Sequence, residues 1–323
     1  MKVIQVSQHG DIDVLQLVEK NLPTPSPEEL VIKIYAAGVN PVDTYIRAGT
    51  NNYTTTFPYT PGKDGAGIVE AVGESVSWFK PGDRVFCTQS ITGCYADTAV
   101  CSQDHVYPLP DNLSFAQGAC LGIPYGTAWL ALHQRAAAIA GETMLIHGAS
   151  GGVGLAAIEL GNAHGLTVLG TASTELGTQS AYQQGADQMF NHNDQNHWQA
   201  IKGYTQNQGI DIILEMLANI NLGQDLPLLT KGGRVIIIGS RGEVTINPRD
   251  LMARNADIRG LALANASLEE RQAMYNNIVE LAKDGKINPV VKHAFTLEEA
   301  GKAHQQVMTK GAAGNVVLIA RPE

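Results

Sequence analysis

Hydrophobic and polar positions change rhythm twice along this chain. In the first third, short runs rich in β-branched residues (KVIQV, LQLVEK, ELVIKIYAAGV, GAGIVEAVG and DRVFC) are broken by the turn-forming segments PTPSPEE and KPGD, a pattern that predicts strands. Near residue 115 the stretch FAQGACLGIPYGTAWLALHQRAAAIAGE becomes Ala-rich with helical spacing. Beyond it, strands and helices alternate. TMLIHG, LTVLGTA, DQMFN, IDIILEML, GRVIIIG and DIRGLAL read as strands, and GGVGLAAIELGNAHG, ELGTQSAYQQG, WQAIKGYTQ, QDLPLLTKG and PRDLMARN as helices. Strands this uniformly apolar are buried on both faces, which predicts a doubly wound parallel sheet with right-handed crossovers.

The second change comes at SLEERQAMYNNIVELAKDGK, a long amphipathic helix, followed by NPVVKHAF, the helix TLEEAGKAHQQVMTK and a closing strand NVVLIA. The tail matches the first third better than the middle, so the C-terminus is expected to return to the N-terminal domain. The fold class is α/β: a β-rich domain over residues 1–119 and 286–323, and a Rossmann domain over 120–285. A chain of 323 residues suits two domains.

Charge and cysteine usage narrow the function. With 22 Lys plus Arg against 31 Asp plus Glu, the formal charge is -9, which disfavours nucleic acid as a partner. No apolar run approaches the roughly 18 residues of a membrane span. The start MKVIQVSQHGDIDV carries an early acid and no signal-peptide core, so a cytoplasmic location is expected. Cys87, Cys94 and Cys101 recur every seven residues, with Cys120 further on. This fits neither C-x2-C zinc spacing nor a disulfide framework, and buried reduced thiols are expected.

HGASGGVGLAA, residues 147–157, joins the first strand of the predicted sheet to its first helix. Set on the pattern G-x-G-x-x-G it gives Ala149, Gly151 and Gly154. A structural turn without ligand is the plain alternative, but the strand before, the helix after and the βαβ unit favour a dinucleotide. Gly151 would let the backbone approach a pyrophosphate, Gly154 would let the helix pack on the strand, and the helix N-terminus offers N–H groups. Alanine in the first position implies no positive φ there. At the end of the second strand, GTASTE puts Thr171, Ala172, Ser173 and Thr174 where NAD-binding folds usually carry an acid. This favours NADP, with Glu175 as the nearby exception. Lys202, Arg241 and His192 are candidates for the 2′-phosphate, while His147 reads as a satisfied core histidine.

The segments GVNPVDTYIRAG, TPGKDGAGIVEAVG, IPYGTAWLAL, HGASGGVG, IDIILEML and GGRVIIIGSRG, in this order, resemble the medium-chain dehydrogenase/reductases, and within them the quinone oxidoreductase (zeta-crystallin-like) branch. The similarity covers nearly the whole chain. It implies a GroES-like catalytic domain, NADPH-dependent reduction of a quinone in a cleft between the two domains, and a homodimer or homotetramer in which an edge strand such as DIRGLAL pairs across subunits. The cofactor contacts it implies are Tyr45, Thr127, Ser150, Gly151, Gly152, Val153, Gly154, Ser173, His192, Asn221, Gly239, Ser240, Arg241, Leu261 and Leu263.

Zinc-dependent relatives carry a Cys in the turn that here reads GVNPVDTY and a His-Glu pair where this chain has Lys63-Asp64. Asn40 stands at the first of those positions. An amide is a poor zinc ligand and an ammonium is none, so no metal is expected. A quinone needs less help than a carbonyl, because its reduced product is aromatic and spreads the charge. The protein's part is to position the reactants and exclude water. Asn40 and Tyr45 are the leading hydrogen-bond donors, Tyr45 alternatively serving packing alone. Thr127 and Tyr125 are placed to touch nicotinamide or substrate. Lys63 either pairs with Asp64 or another acid as a structural remnant, or delivers a proton. Two rivals stay open: an NADPH-dependent reductase of alkenal or enone double bonds, and a zeta-crystallin-like RNA-binding or structural protein.

Overall fold

The computed structural model describes residues 1–50, 53–311 and 313–322. They divide into two units, Met1–Ile123 with the segment from Ser267 to the C-terminus, and Pro124–Ala266.

The first unit is built on the strand Glu29–Val39, whose near-continuous burial reflects strands on both sides. Gly65–Val72 pairs antiparallel with it, and Arg84–Cys87 and Val106–Pro108 extend that side of the sheet. On the other side run Asn315–Ile319 and Thr98–Ser102, with Val291–Thr296 beyond Asn315–Ile319. The C-terminal strand thus returns to the first third, with Val316 opposite Val39 and Ile319 opposite Ala36. Ile32, Ile34, Val85, Cys87, Cys94, Tyr95, Cys101 and Leu318 share one buried core.

The division lies elsewhere than the expected boundaries at 119/120 and 285/286. The helix Leu268–Lys283, assigned from sequence to the Rossmann domain, belongs to the β-rich unit. It buries Arg271, Met274, Tyr275, Ile278, Val279 and Ala282. The Tyr275 ring lies 4.8 Å from Tyr107 and 6.1 Å from Phe86, and its hydroxyl donates to the Gly122 carbonyl at 3.2 Å. Amphipathic spacing reports that a helix buries one face; it does not report which sheet receives that face.

The second unit is a six-stranded parallel sheet in the order Gln188–Asn191, Thr167–Ala172, Thr143–Ile146, Ile210–Glu215, Leu229–Ile237, Asp257–Gly260. Sequence order therefore reverses between Thr143–Ile146 and Ile210–Glu215, the switch point where open α/β sheets bind ligands. The helix Gly152–Ala163 packs on the sheet and buries eight residues, Gly154 to Gly161. One predicted helix is shorter than expected: QDLPLLTKG ends its helical part at Leu228, and Leu229 already begins a strand. Pro227 permits a short turn but no continued helix. Among the described residues no helix is long and apolar enough to cross a membrane.

Candidate active site

The glycine loop leaves strand Thr143–Ile146 and enters helix Gly152–Ala163. The positive φ the turn requires falls on Gly148, at +66°, so Ala149 keeps an ordinary conformation, fully buried, and donates its N–H to the Thr171 carbonyl at 2.9 Å. A Cβ on Gly154 would lie 2.6 Å from the Gly148 carbonyl and 2.7 Å from Ala149, so glycine is needed there for helix and strand to meet. A Cβ on Gly151 would meet only the Gly148 carbonyl, at an ordinary 3.5 Å. Nothing inside the unit demands glycine at 151, and the open space before it fits an approaching ligand. No side chain caps this helix, so the first-turn N–H groups of Gly152, Val153 and Gly154 lack intrahelical acceptors. That is the donor set a pyrophosphate takes. Ser150 is buried against Gly177, whose Cβ would come within 2.9 Å of it.

The end of the second strand is more committed than its hydroxyls suggested. Thr171 is fully buried and holds the loop instead of facing a phosphate: its Oγ1 accepts from Gly148 N–H and lies 3.3 Å from His147 Nδ1 and 3.4 Å from His192 Nδ1. Thr174 caps the next helix by accepting from Gly177 N–H. Ser173 is left half-buried at the strand end. Glu175 is the first residue of that helix and turns toward Gln179. Arg241 is exposed after strand Leu229–Ile237, its backbone N–H fixed by Asn219 Oδ1 at 2.9 Å, and Ser240 Oγ bonds the Gly242 carbonyl. Gly239 packs so closely on Met216 that a Cβ would come within 2.4 Å of its carbonyl. Lys202 lies in the last turn of helix His197–Tyr204. Leu261 N–H bonds the Ile237 carbonyl, and Leu263 begins a short 3-10 turn. Thr127 is buried in helix Gly126–Trp129. Tyr125 is buried, its hydroxyl hydrogen-bonded to the Glu159 carboxylate within the same unit. Asn221 turns its amide toward Glu215 at 3.3 Å.

In the β-rich unit, GVNPVDTY folds into the helix Pro41–Ala48, with Asn40 at its cap, Pro41 in its first turn and Gly49 closing it at φ +67°. Asn40 backbone N–H donates to Asp43 Oδ2 at 2.8 Å, the reciprocal contact of a capping box. Asn40 Nδ2 donates to Asp64 Oδ2 at 2.9 Å, and Ile123 N–H donates to the same oxygen at 2.8 Å. Tyr95 donates to Asp43 at 3.2 Å and lies 3.2 Å from His304 Nε2. Asn40, Asp43, Asp64, Tyr95 and His304 are all buried. Burial pushes Asp43 up to about 6 and Asp64 up to about 7. The helix brings Tyr45 out half-buried, its ring stacked on Tyr53 at 6.4 Å.

The pairing of Lys63 with Asp64 does not form. Lys63 is exposed and its Nζ lies 3.4 Å from the Ser90 carbonyl, while Asp64 turns inward to Asn40 and Ile123. Neighbours entering a strand point to opposite faces. Residues that sequence reading missed are Asp43, Tyr95 and His304; the spacing Asn40-x-x-Asp43 is a capping signal that could have exposed the first. His147 is the core histidine expected, 2.8 Å from Asp225 Oδ1. With Glu215 it completes the cluster of His, Asp and Glu that stands within 4.8 Å among the described residues. All four cysteines are free and buried.

Two family models match the chain: the alcohol dehydrogenase GroES-like domain over residues 26–111 and the zinc-binding dehydrogenase model over residues 152–283. The quinone oxidoreductase of Sus scrofa is 49% identical over 321 residues, covering 99% of this chain and 98% of its own length. An Escherichia coli quinone oxidoreductase solved in complex with NADPH superposes with a TM-score of 0.87 at 29% identity, covering 99% of this chain and 100% of that one. An NAD-dependent alcohol dehydrogenase structure superposes with a TM-score of 0.92 at 25% identity, over 99% of this chain and 100% of that one.

Proposed function

The chain belongs to the quinone oxidoreductase family of the medium-chain dehydrogenase/reductases, as an oxidoreductase enzyme, and from that premise we propose that it is a zinc-independent NADPH:quinone oxidoreductase. The observation that carries the cofactor half of this reading is Gly151: glycine at a position where the unit's own packing would accept a side chain, next to uncapped helix N–H groups. Those donors would hold the pyrophosphate, and Ser173 with Arg241 would take the 2′-phosphate. The relative solved with NADPH supports this choice and the NAD-dependent one keeps it open to test.

Bound NADPH supplies the reducing equivalents. What the chain adds is orientation, exclusion of water and a source of hydrogen bonds to the quinone oxygens as they gain negative charge. Tyr45, half-buried on the helix after Asn40, is the hydroxyl donor. Asn40 is held in one rotamer by Asp64 and offers its second amide hydrogen. Exposed Lys63 is the group that would deliver the proton consumed per quinone reduced. Zinc independence rests on the donor set: an amide at 40 and an exposed ammonium at 63, with Asp64 already engaged by two N–H donors. The rival enone chemistry uses the same cofactor and differs in its acceptor.

Steady-state oxidation of NADPH with benzoquinones and naphthoquinones, set against 2-alkenals, tests the assignment. Quinone turnover that survives exhaustive dialysis against a chelator is expected. Rates confined to alkenals, or quinone turnover lost with the chelator and restored by zinc, would overturn it.

A further inference from the structure

The cluster beneath the glycine loop forms a directed chain of hydrogen bonds within the second unit. Gly148 N–H donates to Thr171 Oγ1 at 3.3 Å. Thr171 Oγ1 is 3.3 Å from His147 Nδ1, and His147 Nε2 is 2.8 Å from Asp225 Oδ1. Glu215 Oε1 accepts from Leu217 N–H and from Asn221 Nδ2. Glu215 Oε2 and Asp225 Oδ2 are buried without a hydrogen-bond partner, Glu215 Oε2 lies 3.7 Å from His147 Nε2, and the three groups stand within 4.8 Å of one another, so a proton held between the two carboxyls would relieve both. The members are satisfied when Thr171 donates its hydroxyl to Nδ1, His147 donates Nε2–H to Asp225, and one carboxyl proton is shared between Glu215 and Asp225.

We propose that His147, Glu215 and Asp225 are positioning residues for the cofactor loop, holding one shared carboxyl proton that fixes Thr171 and, through it, Gly148. This rests on the reading of NADPH at that loop. Four segments meet at the cluster: the glycine loop, the ends of strands Thr167–Ala172 and Ile210–Glu215, and the helix Ala218–Asp225, whose last residue is Asp225. Glu215 and Asp225 are 0% exposed and His147 is 3% exposed. Trp198 lies against the imidazole at 5.5 Å, and His192 reaches Thr171 from the strand Gln188–Asn191 side at 3.4 Å. Among the described residues no lysine or arginine forms an ion pair with either carboxylate.

Burial pushes both carboxyls up; Asp225 raises Glu215 further, whereas the hydrogen bond from Glu215 lowers Asp225. The pair therefore holds a proton between its two carboxyls at neutral pH. Burial also lowers His147, which stays neutral. The cluster carries a single negative charge while the pair holds its proton and two once that proton is lost. A second buried charge beneath a loop that receives a pyrophosphate opposes binding and deprives Asp225 of a donor. Binding of the anionic cofactor must in turn raise the affinity of the pair for its proton.

The test is the dissociation constant of NADPH, followed by its fluorescence on the full chain from pH 6.5 to 9.5, for wild type and Glu215→Gln. In wild type it should rise about tenfold across this range, the equivalent of a pKa raised by one unit on binding. Glu215→Gln keeps a donor to Asp225 without an ionisable group, and its affinity should be flat with pH. Equal slopes in the two proteins overturn the proposal, as does one tightly held divalent ion per chain in metal analysis, which would occupy the place of the proton. Calorimetry of wild type at pH 8.5 in two buffers of different ionisation enthalpy needs no variant. Uptake of part of a proton per NADPH is expected, and no uptake refutes the shared proton. A wild type that binds no NADPH at any pH defeats the cofactor reading itself, whereas tight binding that ignores pH defeats only the cluster.

Discussion

Asn40 donates its side-chain N–H to Asp64 at 2.9 Å, which ties the cap of helix Pro41–Ala48 to the residue just before strand Gly65–Val72. Asn40→Ala should leave Asp64 Oδ2 with the Ile123 N–H alone, at a cost of about 1–3 kcal/mol in chemical denaturation. Quinone turnover should fall about tenfold, the worth of one hydrogen bond of about 1.4 kcal/mol in the transition state. Tyr45→Phe should lower kcat similarly with little loss of stability, because its half-buried ring is retained. Unchanged kcat in both variants removes the donor assignment.

The buried acids predict how stability moves with pH. Burial raises Asp43 to about 6 and Asp64 to about 7, against an ordinary value near 3.9 in the unfolded chain. Between those values the folded state binds more protons than the unfolded one, so these two groups lower stability as pH rises from about 4 to about 7. His304, lowered by burial to about 3, acts in the opposite sense between about 3 and its unfolded value near 6.5, which makes the absolute profile a poor test. The difference between Asp64→Asn and wild type isolates one carboxyl. The variant should gain on wild type by a few kcal/mol between pH 4 and 7, measured by denaturant unfolding at each pH. A constant difference would mean that Asp64 is ionised throughout.

Gly151 and Gly154 separate binding from folding. Gly154→Ala puts a Cβ 2.6–2.7 Å from backbone atoms of Gly148 and Ala149 and should destabilise by about 1–3 kcal/mol. Gly151→Ala meets nothing closer than 3.5 Å and should cost under about 1 kcal/mol. NADPH affinity, however, should drop in Gly151→Ala, since its methyl occupies the side from which the pyrophosphate approaches. Thermal melting beside a fluorescence titration reads both effects, and a Gly151→Ala protein that binds like wild type would sink the loop assignment.

The Rossmann unit was legible in the sequence because its strands are apolar throughout and its loop carries glycine where backbone contact forces it, as at Gly154. The long helix Leu268–Lys283 was assigned to the wrong unit because Met274, Tyr275 and Ile278 spell out a buried face without its partner. Asn40 could be found from its position, but Asp43, Tyr95 and His304, from segments far apart in the chain, meet only in the folded unit. The direction of the Thr171 hydroxyl is hidden for the same reason. A threonine at a strand end has the same spacing whether its hydroxyl faces a ligand or, as here, turns inward to Gly148 and His147. The Glu215–Asp225 contact joins a strand end to a helix end, and no local pattern encodes it.

Cofactor preference is the last point that residues can decide. Thr171 and Thr174 are occupied by backbone contacts, so the proposed 2′-phosphate contacts are Ser173 and Arg241, with Lys202 a further candidate. Arg241 is exposed, and its backbone is anchored by Asn219, so replacing the guanidinium should disturb little of the fold. Arg241→Ala should raise the KM for NADPH about tenfold, the loss of one charge-assisted contact of about 1.5 kcal/mol, and leave the KM for NADH unchanged. The ratio of kcat/KM for the two cofactors is the measurement. An equal effect on both would place Arg241 away from the phosphate, and a wild type that prefers NADH would reverse the assignment of NADP made from the missing strand-end acid.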